Sequence, residues 1–133
     1  MPQHDFPAPG SPEDWLTRAK SNLARAASPR PDGALLEDSC YDAQQAAEKS
    51  LTLLCSRGIV FRHVHDIGEL LDALAQGVVV VPDHVRKASV LTAYAVQTRC
   101  PGDYEPVSET EFREVLEMAT HVFDWAKAAI VNR

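Results

Sequence analysis

The sequence predicts an all-α fold, a five-helix up-and-down bundle, on three observations. Apolar residues recur at helical spacing in five separate stretches, helix start signals precede several of them, and the one strand-like run, VVVV at 78–81, has no partner strand. A lone strand is not stable, so that run reads as a buried loop. The chain has 133 residues and a mass of 14.6 kDa, enough for one domain with a sizeable core.

Residues 1–10 hold three prolines and little apolar periodicity, and they read as a flexible tail before a single domain at 11–133. Ser11 is placed to cap a first helix, Pro12 suits its first position, and Asp14 closes a capping box. Trp15, Ala19, Leu23 and Ala26 form its apolar stripe before SPRPDG at 28–33 breaks it. A second helix is predicted from about Ala34 to Arg57, with Leu36, Cys40, Ala43, Ala47, Leu51 and Leu54 on its buried face and Gly58 to end it. Asp66 caps a third, carrying Ile67, Leu70, Leu71 and Leu74. Pro82 opens a fourth, an α-helix through Val85, Ala88, Leu91, Thr92 and Ala95 that fades near Thr98. Ser108 and Glu111 form a capping box for the last, whose stripe is Phe112, Leu116, Ala119, Phe123, Ala126 and Ile130. Trp15 and Trp125 fall on these stripes and are expected in the core.

Nineteen acidic against thirteen basic residues give a net charge of −6. That balance argues against coating nucleic acid along its length, which rests on neutralising many phosphates, and leaves room for a local basic pocket. Cys40, Cys55 and Cys100 are an odd number without CxxC spacing, so a disulfide framework or structural zinc site is not expected and a reducing cytoplasm is. MPQHDFPAPG lacks the basic and apolar regions of a secretory signal, and no apolar run is long enough to span a membrane.

Three segments offer chemistry. Tyr41, Gln44, Gln45 and Glu48 recur at three and four, a polar band beside the apolar face of the second helix. Such a band can hydrogen-bond a polar ligand; its plainer reading is a solvated face or a helix–helix network. His63 and His65 alternate before Asp66, but a metal site needs three or four ligands and no further cluster offers them; no metal and no cofactor is expected. Tyr94 and Arg99 lie five apart before the loop RCPGDYEP. An arginine there can clamp a phosphate and the tyrosine can stack on a base, while the plainer role for Arg99 is to meet the helix's own terminal carbonyls.

In combination these segments resemble the HEPN family of small helical proteins. The likeness is carried by Asp14-Trp-Leu16, CYDAQQAAEKSLTLL at 40–54, GIVFRHVHDIGELL at 58–71, LTAYAVQTRCPG at 91–102 and the closing helix with Trp125. It implies a dimerising helical bundle, often working with a minimal nucleotidyltransferase partner in a two-gene, toxin–antitoxin-type system, with a nucleotide or RNA as ligand. The nucleotide- or RNA-binding residues implied are Arg99, Tyr94, Gln44, Glu48, Tyr41 and Tyr104. Ribonuclease members use an arginine followed four to six residues later by a histidine; Arg99 matches the arginine, whereas Asp103, Tyr104 and Glu105 stand where the histidine falls. A divergent metal-independent RNA endonuclease would then draw on Arg99 and a histidine such as His65, because proton transfer from a 2′-hydroxyl suits a group titrating near neutrality. A partner nucleotidyltransferase in some members attaches AMP to a tyrosine close to this motif, which makes Tyr104 a candidate. A non-catalytic helical dimerisation module is the remaining alternative.

Overall fold

The computed structural model describes residues 7–55, 66–77, 79–94 and 106–131. These form α1 (Pro12–Ala27), α2 (Leu36–Cys55), α3 (Ile67–Gln76), the short α4 (Asp83–Arg86) running into a 3-10 helical segment (Lys87–Tyr94), and α5 (Glu109–Val131). All regular structure among the described residues is helical, with no strand. The result is the five-helix bundle that the periodicity predicts.

α2 is the central element, packed by α1, α3, α5 and the 3-10 segment. From Ser39 to Cys55 every residue is buried except Tyr41 and Lys49, which are partly exposed. Small side chains make this possible. Ala19 and Ala26 of α1, Ala43, Ala46 and Ala47 of α2, and Ala119 and Ala126 of α5 are all almost completely buried, so the helices approach closely. Leu51, Leu53, Ile67, Leu70, Leu74, Leu91 and Val85 fill the space around them. In α5 the fully buried line is Val115, Ala119, Val122, Phe123 and Ala126; Phe112, Leu116 and Ile130 of the predicted stripe flank it. Trp15 and Trp125 are partly buried against the core.

The start signals act as hydrogen bonds. Ser11 Oγ accepts from the Asp14 N–H at 3.1 Å, but the Asp14 carboxylate reaches one residue beyond the cap, to the Gly10 N–H at 2.9 Å. Gly10 has φ +79°, and the turn it makes presents that N–H. Asp66 accepts from the Glu69 N–H and Ser108 from the Glu111 N–H, each at 3.1 Å. α2 starts at Leu36, two residues later than predicted, after Gly33 turns the chain at φ +86°.

Two expectations are corrected. The fourth helix is not one α-helix: only Asp83–Arg86 is α, and Lys87–Tyr94 winds as a 3-10 helix. Its buried positions explain the winding, because Val85, Ala88 and Leu91 fall every third residue, the repeat of a 3-10 turn. Among the described residues of the valine run, 79–81 form a loop, as expected, but of these only Val81 is buried, and Val79 packs partly on the core. Val80 is 87% exposed.

Candidate functional site

The predicted polar band of α2 is neither solvated nor marginal. Gln44 is completely buried, and Gln45 and Glu48 nearly so. One helical turn brings them together: the Gln44 amide donates to Glu48 Oε2 at 3.2 Å, and the Gln45 amide donates to the same oxygen at 3.1 Å and to Gln44 Oε1 at 2.8 Å. Burying a carboxylate and two carboxamides is costly unless their hydrogen bonds are made, and no buried side-chain nitrogen or oxygen among the described residues lacks a partner. The cluster is therefore preorganised, with one carboxylate oxygen fixed by two donors. Gln45, which the sequence did not rank as a ligand residue, donates to both others, so the three side chains close a triangle of hydrogen bonds. Tyr41 is partly exposed and makes no hydrogen bond to them among the described residues.

Tyr94 ends the 3-10 segment, and its hydroxyl donates a short hydrogen bond to Glu111 Oε2. Glu111 was expected to close a capping box; its carboxylate instead anchors Tyr94 to the first turn of α5. Thr92 in the same segment accepts from the Ile67 N–H at 3.0 Å, which ties it to the start of α3. His65, Arg99 and Tyr104, the other predicted site residues, lie outside the described residues, as do Arg62, His63 and Cys100.

A second polar group, which the sequence did not reveal, joins α1 to α2. The Asn22 amide donates to Asp42 Oδ1 at 3.0 Å, and Lys49 Nζ donates to Asn22 Oδ1 at 2.6 Å. Arg25 Nε lies 3.5 Å from Asp42 Oδ2. Burial lowers the Lys49 pKa from its usual 10.5; Arg18 and Arg25 push it the same way, against the pull of Glu48 and Asp42. Twenty and 27 residues separate these partners in sequence, so no local spacing could have announced them.

Cys55 is buried, and burial pushes its thiol up to about 11, which makes it a poor nucleophile at neutral pH. No group of three or more His, Cys, Asp or Glu side chains among the described residues is placed to hold a metal ion. Two surface clefts, of about 440 and about 340 Å³, flank the loop between α1 and α2; Arg30 lies between them, bonded to the Ala34 carbonyl and to Glu109. No helix among the described residues is long and apolar enough to cross a membrane.

A helical bundle whose central helix buries a glutamine–glutamate cluster is the class of protein defined by this fold and site. The family model for the HEPN domain matches residues 12–129, and the chain belongs to the HEPN family. The crystal structure of an archaeal HEPN homologue superposes with a TM-score of 0.72 at 26% sequence identity, covering 90% of this chain and 98% of that one. No curated protein matches the chain.

Proposed function

We propose that this HEPN chain is a nucleotide- or RNA-binding component of a nucleotidyltransferase/HEPN two-gene system, acting as a homodimer. Arg99 clamps a phosphate through its planar fork, and Tyr94, which precedes it by five residues, stands ready to stack on a base. The observation that carries this reading is the buried Gln44–Gln45–Glu48 cluster. The Gln44 and Gln45 amides hold Glu48, the member whose charge can orient a cationic side chain or accept from a ligand hydroxyl. The anchoring of Tyr94 by Glu111 gives the chain that leads to Arg99 a fixed starting point.

Native mass spectrometry of gently purified protein tests the reading, since one spectrum reports subunit count and any bound or attached nucleotide. A dimer carrying nucleotide mass is expected, with that mass lost in Arg99→Ala while the melting temperature stays within a degree or two of the parent. An AMP adduct on Tyr104 after co-expression with the nucleotidyltransferase would make that tyrosine the modified group. A bare monomer, or an Arg99→Ala variant that melts well below the parent, rejects the assignment. RNA cleavage that disappears in both Arg99→Ala and His65→Ala would instead establish the metal-independent endonuclease.

A further inference from the structure

The smaller of the two clefts beside the α1–α2 loop, of about 340 Å³, is lined by charges of both signs. Asp38, Ser39 and Asp42 of α2 line it together with Arg25 of α1, Arg30 of the loop and the apolar Leu35. Ser39 is only 7% exposed, yet its hydroxyl makes no hydrogen bond. Every fully buried side-chain oxygen among the described residues has a partner, so the unbonded Ser39 Oγ reaches solvent, and the cleft is where Ser39 meets it. Asp38 is exposed, and its carboxylate has no partner among the described residues. Arg25 approaches Asp42 Oδ2 through Nε alone, at 3.5 Å, which leaves its two Nη atoms unbonded.

We propose that this cleft binds a free α-amino acid with an apolar side chain. Two carboxylates and two guanidiniums line it, so the charges balance. A nucleoside phosphate would meet Asp38 and Asp42 as like charges, and a simple cation would meet Arg25 and Arg30 in the same way; a zwitterion offers a group to each sign. An ammonium carries three N–H donors. Asp38 and Ser39 stand four and three residues before Asp42, so one patch of α2 supplies three acceptors: the Asp38 carboxylate, Ser39 Oγ and Asp42 Oδ2. Asp42 Oδ1 is already held by the Asn22 amide. The ligand carboxylate takes the two Nη donors of Arg25, a charge-assisted pair. Arg30 is bonded to the Ala34 carbonyl and to Glu109, so it contributes charge and does not need to contact the ligand. Leu35 is 59% exposed and gives the apolar side chain a surface to cover. A volume of 340 Å³ stands at the small end of the range for ligand clefts, about 300–1,000 Å³, as a ligand of this size requires.

The test titrates L-leucine, L-methionine and L-phenylalanine into the full-length protein and follows binding by ligand-observed NMR. Two further probes, 4-methylpentanoate and 3-methylbutylamine, are leucine without its ammonium and leucine without its carboxylate. The expected result is binding of at least one of the three amino acids at millimolar concentration or below, with both truncated probes weaker than leucine by about tenfold or more. Asp38→Asn, Ser39→Ala and Arg25→Gln should each weaken the amino acid by about tenfold, the loss of one hydrogen bond to a charged group. Asp38 has no partner among the described residues, so Asp38→Asn keeps the fold, and its melting temperature checks that. Three results overturn the proposal: no binding of any of the three amino acids at millimolar concentration, a truncated probe that binds as tightly as leucine, or binding unchanged in all three variants.

Discussion

Two polar groups lie on α2, and they are built differently. Asn22, Asp42, Lys49 and Arg25 bond from one helix to another, whereas the bonds joining Gln44, Gln45 and Glu48 fall within a single turn of α2. A bond between helices that are far apart in sequence is lost on unfolding, and it helps fix how the helices sit. A bond between neighbours on one helix fixes side-chain orientation and adds little to the docking of helices. The first arrangement holds the bundle; the second holds a charge in a set direction, as a site requires.

Four measurements can break or sharpen this contrast. Asp42→Ala has the largest expected effect, a loss of about 2 kcal/mol in chemical denaturation, because it strands the buried Asn22 amide and removes the partner of Arg25. Tyr94→Phe removes one cross-element bond, to Glu111, and should cost about 1 kcal/mol by the same assay. Glu48→Gln keeps the shape and an acceptor oxygen, so it should cost less than about 1 kcal/mol while nucleotide or RNA binding falls away. A Glu48→Gln protein that melts as low as Asp42→Ala would erase the distinction.

The smallest effect concerns Lys49. Burial lowers its pKa below 10.5, so in the alkaline window just under that value the unfolded chain holds more protons than the folded one. Stability contributed by this group therefore rises as pH climbs toward 10.5, and the penalty of burying its charge is greatest below the lowered folded pKa. Lys49→Met should flatten that rise when melts are compared across mildly alkaline pH. An unchanged pH profile in Lys49→Met would show that the ammonium is effectively solvated.

Much of the fold was legible because its signals are local. Ser11, Asp66 and Ser108 each cap the helix they precede, and Ile67, Leu70, Leu71 and Leu74 are all buried as their spacing predicts. The fourth helix was mistaken because Val85, Ala88 and Leu91 fit an α-helical reading over so short a run, although a repeat of three is the 3-10 period. The burial of Gln44 and Glu48 depends on which helices cover α2, which is a tertiary fact. Asp42 was read past for a related reason: its partners sit 17 and 20 positions earlier on another helix.

The segment from His84 to Tyr94 runs antiparallel to α5, meeting it at His121 at one end and Glu111 at the other. Ten residues separate the two contacts on each side. On α5 that distance is about 15 Å, and along the mixed α and 3-10 segment about 18 Å. Deleting one residue from Lys87–Tyr94 would shorten the path by about 2 Å and swing Tyr94 about 120° away from Glu111. Tolerance to insertion and deletion is therefore lower here than tolerance to substitution: exposed positions such as Val90 can change identity freely, but the number of residues between the two contacts cannot change without giving one of them up.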